Sequence, residues 1–286
     1  MKISEIIKKH DKGVSFEFFP PKTEGGMRSL ELTAKALKAY KPLYISMTYG
    51  AIGSTQERTK EATYMLLKEK DFVVMPHLTC IDAKASSIKS LLDEYKQKGI
   101  ENIMALRGDP PQEIPNFNFK NQELCYAKNL VNLIKKYGHF CIGIAVYPEG
   151  HIETSSLEED IEYTEQKIDA GGNFAVTQMF FDNAYYYALL ERMKKKAISI
   201  PVLPGIFPLT DINKLKKFCV VARTTIPKHI EESMIRFAAS PKDMEKVGMD
   251  FTIKQCQDLI KNGHKHLHFF TFNRLEIIKT ILDAIS

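Results

Sequence analysis

The sequence has no glycine-rich phosphate loop, no closely spaced cysteine pair and no long apolar run. Neither G-x-G-x-x-G nor G-x-x-x-x-G-K-[ST] occurs in its 286 residues, which argues against a P-loop enzyme and a dinucleotide-binding open sheet. Its five cysteines are scattered, which excludes a disulfide framework or a zinc knuckle and is typical of reduced thiols. The N-terminus lacks the apolar core of a signal peptide, and no apolar stretch could span a bilayer. We therefore predict a cytoplasmic protein with no membrane partner.

An excess of one charge sign is also lacking. The chain has 40 Lys+Arg and 35 Asp+Glu, a formal net charge of +5, and no run of five basic residues. This pattern predicts no nucleic-acid partner. With 44% hydrophobic and 26% charged residues the composition is that of a globular protein, and the length fits either one large domain or two small ones.

Eight short apolar segments alternate with amphipathic helical patterns along the chain. Most are continuous apolar runs, as expected for strands covered on both faces. They span residues 14–19, 43–48, 72–78, 102–107, 141–147, 174–180, 201–207 and 266–272. The pattern predicts a single α/β domain over residues 1–286, a (β/α)8 TIM barrel with extra helices between strands 7 and 8. A doubly wound open sheet is the competing architecture.

Polar side chains lie at or near the ends of most of these segments. In a barrel the carboxyl ends of the strands build the active site, so these residues are candidates for one polar mouth. Glu17 lies inside the first segment among phenylalanines, where burial is costly without a partner or a task. It is either an acid or base whose pKa is raised by apolar neighbours, or an outward glutamate paired with a helix lysine.

The fourth segment ends in Arg107-Gly108-Asp109. An arginine binds phosphate bidentately, and Gly108 permits a tight turn and close backbone approach to a ligand. Lys167, in the helix that follows the fifth segment, adds a second positive charge. Together with a strand-end histidine, these residues suggest a diphosphate ligand held without a glycine-rich loop.

Nine motifs, in order and over nearly the whole chain, resemble the methylenetetrahydrofolate reductase family. Each is weak alone, whereas the ordered set is highly specific. They are SFEFFPPKT (15–23), SMTYGA (46–51), PHLTC (76–80), ALRGDPP (105–111), YPEGH (147–151), DAGGN (169–173), TQMFFD (177–182), PGI (204–206) and HFFTFNR (268–274).

The resemblance implies an FAD-dependent barrel enzyme that reduces 5,10-methylenetetrahydrofolate to 5-methyltetrahydrofolate with NADH or NADPH by a ping-pong mechanism. It implies that Glu17 is the general acid and Asp109 a carboxylate near the flavin and pterin. Gln178, Phe218 and Arg274 would contact substrate, although Phe218 could equally be a buried helix residue. The implied flavin contacts are Thr48, Ala51, His77, Arg107, Gly108, Asp109, Ala127, Tyr147, His151, Asp160 and Lys167.

Three positions depart from the bacterial family pattern. Tyr163 and Gln166 stand at flavin-contact positions where Asn and Arg are common, and Lys214 stands where a substrate-binding Gln is common. The chain ends at Ser286, which resembles the short bacterial-type members without a regulatory domain. The family resemblance also implies a homo-oligomer.

Two other functions remain open at this point. One is a metal-dependent barrel hydrolase with His77, Asp109 and His151 as ligands, although Arg107 and Lys167 nearby disfavour a cation. His264, His266 and His268 have alternate spacing, but they precede or open the eighth segment, at the wrong end of a barrel for an active site. The other is a non-catalytic folate- or nucleotide-binding barrel.

Overall fold

All eight predicted segments form parallel strands in the computed structural model, which describes residues 1–49, 54–69, 71–110 and 117–286. The seventh segment is divided in two, so the sheet has nine strands and the predicted α/β barrel is confirmed. The strands are β1 (Gly13–Phe18), β2 (Tyr44–Met47), β3 (Val74–Thr79), β4 (Asn102–Leu106), β5 (Cys141–Val146), β6 (Phe174–Thr177), β7 (Val202–Leu203), β8 (Gly205–Ile206) and β9 (His266–Phe270).

The barrel closes through the two halves of the divided strand. β7 pairs with β6, whereas β8 pairs with β9, and Pro204 lies between them. Proline has no N–H to donate to a strand ladder, which explains the break. At Gly205 a Cβ would lie 2.3 Å from the carbonyl oxygen of Thr177, so only glycine permits this approach of β8 to β6.

The intervening segments form helices. Three helices lie between β8 and β9, where a regular barrel has one, so the predicted extra helices are present. In α4 the side chains of Ile88, Leu91, Leu92 and Tyr95 are buried on one face, as their spacing predicts. The helices are α1 (Ile3–Lys9), α2 (Glu24–Leu37), α3 (Ser54–Leu67), α4 (Ala85–Gln97), α5 (Ala127–Tyr137), α6 (Leu157–Asp169), α7 (Asn183–Lys195), α8 (Ile212–Ala222), α9 (Lys228–Ile235), α10 (Pro241–Lys261) and α11 (Leu275–Ile285). Within the described ranges, no helix combines the length and the apolar character needed to cross a membrane.

Helix α1 was not predicted from the sequence. It buries Ile3, Ile6 and Ile7 in the cluster that contains Met75 of β3 and Met104 of β4. Each buried isoleucine contributes about 1.5–3 kcal/mol relative to exposure. With its seven residues, α1 depends on this packing, because so short a helix is unstable alone.

Candidate active site

Glu17 points into the barrel and lies between two histidines from other strands. Its Oε2 atom is 3.3 Å from Nε2 of His77 in β3 and 3.3 Å from Nε2 of His268 in β9. All three side chains are almost fully buried. The alternative of an outward glutamate paired with a helix lysine is therefore wrong, because Glu17 has its partners inside the barrel.

The predicted direction of the Glu17 pKa shift is also wrong. Burial by itself raises the pKa of this carboxyl, but the charge of His77 and the hydrogen bonds from His268 and His77 outweigh it and lower the pKa to about 2. The phenyl rings that surround Glu17 in sequence do not decide its ionisation. Its ionisation is decided by His77 of β3 and His268 of β9.

His268 is the site residue that sequence analysis missed. Parallel pairing puts Ser15 of β1 opposite His268, and Ser15 Oγ lies 2.8 Å from His268 Nδ1. The Tyr44 hydroxyl lies 3.2 Å from the same nitrogen, and the two rings stack with centroids 5.6 Å apart. His266 instead bonds the His10 carbonyl. The prediction that all three histidines lie at the wrong end of the barrel is therefore wrong for His268. It shares a face of β9 with His266 but lies two residues further along the strand, where it reaches Glu17.

A cleft of about 510 Å³ lies beside the carboxyl ends of β4 and β5. This volume falls in the range of small-molecule and cofactor sites. The cleft brings together six of the predicted flavin residues, namely Arg107, Ala127, Tyr147, His151, Asp160 and Lys167. It also contains Tyr163 and Gln166, the two positions that depart from the family pattern.

The cleft contains an inward-directed lysine. Lys167 Nζ donates to the carbonyl oxygen of Ala145, 2.6 Å away, and lies 5.6 Å from the centre of the Tyr147 ring. Burial lowers the pKa of Lys167 to about 8, against the opposing charge of Asp160. Asp160 itself accepts from the backbone N–H of His151 at 3.0 Å, and burial raises its pKa. This arrangement leaves the ammonium charge available to an anionic ligand.

Arg107 lines the cleft, and Gly108 follows it in the loop after β4. The Arg107 guanidinium is bound by both carboxylate oxygens of Glu153 and lies over the ring of Phe119, 3.9 Å from its centre. Gly108 has φ +90°, and a Cβ there would lie 2.5 Å from Cγ2 of Ile81. The structure thus explains the glycine by its close approach to Ile81 in the loop after β3. The predicted approach of the Gly108 backbone to a ligand stays a prediction.

The other predicted flavin residues lie outside this cleft. His77 contacts Glu17, Thr48 directly follows β2, and Asp109 is exposed in the loop after β4. Ala51 lies outside the described residues.

An apolar groove of about 210 Å³ lies between α8 and the end of β9. Phe207, Phe218 and Phe272 form an aromatic cluster there, with ring centroids 4.8–5.9 Å apart. Phe218 is 46% exposed, so its interpretation as a buried helix residue is wrong. Lys214 and Arg274 also line the groove, and Arg274 pairs with Glu245 at 2.9 Å.

The loop after β9 is held in an unusual backbone conformation. Phe272 and Asn273 both lie in the left-handed region, with φ 49° and 57°. The Asn273 amide side chain accepts from the N–H of Phe19 and donates to its carbonyl oxygen, at 3.0 and 2.8 Å. These bonds offset the strain and fix the Phe272 ring in the groove.

Gln178 lies directly after β6, and its side-chain oxygen accepts from the N–H of Met179 at 2.9 Å. It lines neither the cleft nor the groove in the part of the chain that the structure describes. Its predicted substrate contact stays a prediction.

The hydrolase alternative requires a cluster of metal ligands. Within residues 1–49, 54–69, 71–110 and 117–286, no group of three His, Cys, Asp or Glu side chains is arranged to hold a metal ion. His77 instead contacts a glutamate, and the His151 N–H binds Asp160.

Comparison with known proteins shows which family the chain resembles. The model of the methylenetetrahydrofolate reductase family matches residues 2–286. The 5,10-methylenetetrahydrofolate reductases of Pectobacterium carotovorum and Escherichia coli are 35% and 33% identical to this chain, each over 96% of it and 90% of that protein. A solved Clostridium thermocellum protein that binds two copies of 5-methyl-5,6,7,8-tetrahydrofolic acid shares the fold, with TM-score 0.60, 12% identity and 99% and 98% coverage.

Proposed function

The chain belongs to the methylenetetrahydrofolate reductase family, and from this we propose that it is the FAD-dependent enzyme that reduces 5,10-methylenetetrahydrofolate to 5-methyltetrahydrofolate. NADH or NADPH is the proposed reductant in a ping-pong course, and residues 1–286 are proposed to act as one catalytic domain in a cytoplasmic homo-oligomer. The observation that carries the proposal is Glu17, a carboxylate buried between His77 and His268 near the carboxyl ends of the strands.

The residues of the cleft fit a flavin dinucleotide. Arg107 and Lys167 would supply two positive charges to a diphosphate. Lys167 donates to a carbonyl oxygen, so no carboxylate hydrogen bond neutralises it, whereas Arg107 is paired with Glu153. Tyr147 and Ala127 add apolar walls. When bound, the flavin would carry reducing equivalents from the nicotinamide nucleotide to the folate.

Glu17 would supply a proton to the bridging ring nitrogen of the folate, so that its five-membered ring opens to a cationic iminium. Because the pKa of Glu17 is lowered, the proton belongs to the carboxylate–imidazole group as a whole rather than to Glu17 alone. His77 and His268 both face Oε2 of Glu17, which leaves Oε1 for the substrate. Asp109 would stabilise the cation by its negative charge.

The aromatic groove would hold the remainder of the folate. Phe218, Phe207 and Phe272 offer ring faces and edges to its aromatic amide portion. Arg274 and Lys214 would face its carboxylates, with Lys214 in place of the more common glutamine. Tyr163 and Gln166 keep polar groups in the cleft, since Tyr163 donates to Glu159 and Gln166 accepts from Lys128.

An anaerobic half-reaction experiment tests the proposal. The purified protein should show a flavin spectrum or acquire one on reconstitution with FAD. NADH or NADPH should bleach it, and methylenetetrahydrofolate should restore it. A protein that binds no flavin would refute the proposal, whereas flavin binding without bleaching by either nucleotide would indicate a non-catalytic binding barrel. The relative bleaching rates identify the nucleotide.

A further inference from the structure

The Arg107 guanidinium is engaged on its edge and on one face by residues of the protein itself. Its Nη1 and Nη2 atoms donate to the two carboxylate oxygens of Glu153 at 2.5 and 2.7 Å, and Nε points to the Gly108 carbonyl oxygen at 3.4 Å. Phe119 covers one face. The donor pair that a phosphate would use bidentately is therefore occupied by a carboxylate.

Glu153 also sets the charge of the cleft. The cleft is lined by Arg107, Lys128 and Lys167 as cations and by Asp160 and Glu153 as anions. A diphosphate placed beside Arg107 would meet the carboxylate of Glu153 at close range, and like charges there repel. Glu153 and a diphosphate therefore compete for one guanidinium edge.

We propose that Glu153 is an internal counter-anion of Arg107 that the diphosphate of a dinucleotide cofactor displaces on binding. The inference rests on the proposed function, because it concerns the same flavin cleft. It assigns to Glu153 a part in binding affinity and association rate, and none in the chemistry of folate reduction.

The surroundings of Glu153 allow this exchange through its side chain alone. The Glu153 side chain is 48% exposed, whereas that of Arg107 is only 14% exposed. The backbone on either side is anchored, because Arg223 Nη1 donates to the carbonyl oxygens of His151 and Thr154 at 3.0 and 2.8 Å. The carboxylate can therefore rotate into water while the loop stays in place.

Phe119 keeps Arg107 oriented during such an exchange. Stacking of a guanidinium on an aromatic ring fixes its plane and leaves its edge free for a new partner. When Glu153 rotates away, Nη1 and Nη2 would stay directed toward the cleft. The stacked arginine is therefore a preorganised anion site with a removable carboxylate.

Flavin binding to the apoprotein tests the proposal directly. FAD and riboflavin are the two probes, and quenching of flavin fluorescence gives the affinity and the association rate. Glu153→Gln removes the charge at constant size, and Glu162→Gln, on the exposed side of α6, is the matched control. Riboflavin has no phosphate, so its binding should not respond to either substitution.

Glu153→Gln should tighten FAD binding about threefold to fivefold, the scale of a partly exposed ion pair, and should raise the association rate. Riboflavin binding and the Glu162→Gln variant should not change. Weaker or unchanged FAD binding in Glu153→Gln would overturn the proposal, since a residue that only orients Arg107 predicts weakening.

Glu153→Asp provides a second variant that keeps the charge and shortens its reach. It should bind FAD with intermediate affinity, and it decides the question if Glu153→Gln does not fold. If the unaltered protein binds neither FAD nor riboflavin, the proposed function itself fails. If it binds both and the variants bind FAD no more tightly, only the counter-anion proposal fails.

Discussion

Nε2 of His268 lies 3.3 Å from Oε2 of Glu17, and the strands that carry these residues are hydrogen-bonded neighbours. The two residues are 251 positions apart in sequence, and the parallel pairing of β1 with β9 brings the first and the last strand together. A buried carboxylate becomes tolerable because a buried imidazole faces it. The pairing of the first strand with the last therefore assembles the proposed acid.

Replacement of Glu17 by glutamine should slow folate reduction about a hundredfold or more, the usual contribution of a general acid. The amide keeps the size and one hydrogen-bond acceptor, but it has no proton to exchange with His77 or His268. Reduction of the flavin by NADH or NADPH should stay within about twofold, because that half-reaction requires no such proton. Anaerobic stopped-flow spectroscopy measures both half-reactions, and an equal loss in the two would contradict the assigned role.

Replacement of Lys167 by methionine should stabilise the protein at pH 7 by about 1 kcal/mol while weakening FAD binding. Folding lowers the pKa of Lys167 from 10.5 to about 8, so the unfolded chain binds more protons between these values. Stability of the unaltered protein should therefore rise as the pH increases from 8 to 10.5.

The advantage of the Lys167→Met variant should shrink over that same pH range, and Lys89→Met, on the exposed side of α4, should show no such trend. Chemical denaturation at several pH values measures the free energies of unfolding. A difference between Lys167→Met and the unaltered protein that stays constant from pH 8 to 10.5 would show that burial does not perturb Lys167.

The barrel could be predicted because its strands are local apolar runs and its helices have their own periodicity. The division of the seventh strand at Pro204 follows from a residue visible in the sequence, although which half pairs with which neighbour depends on closure. The role of His268 could not be predicted without the register, since Ser15 and Tyr44 meet it from other strands. The direction of the Glu17 pKa shift could not be predicted for the same reason, because the two histidines that lower the pKa come from other strands.

Substitution of Gly108 by alanine should destabilise the protein by about 2–4 kcal/mol. The new Cβ would enter a backbone with φ +90° and lie 2.5 Å from Ile81 Cγ2 and 3.0 Å from Thr79 Cβ. Gly99→Ala is a matched control, because Gly99 has φ +80° and nothing lies within 4 Å of a Cβ there. Thermal unfolding measures the loss of stability in the two variants, and the larger loss expected in Gly108→Ala is the cost of the clash. Equal losses of stability would mean that the surrounding side chains move and relieve the clash.

Replacement of Phe218 by alanine should weaken methylenetetrahydrofolate binding about tenfold, the cost of one lost aromatic contact of roughly 1–1.5 kcal/mol. Phe218 packs on Phe207 and Phe272 but is 46% exposed, so its loss should change stability little. Val220→Ala is the control, since Val220 lies on the same helix and is 74% exposed. Titration of the oxidised enzyme with folate substrate measures the affinities. If Val220→Ala weakened binding as much as Phe218→Ala, the effect would come from α8 as a whole. The proposal that the groove binds the aromatic ring of the substrate would then be wrong.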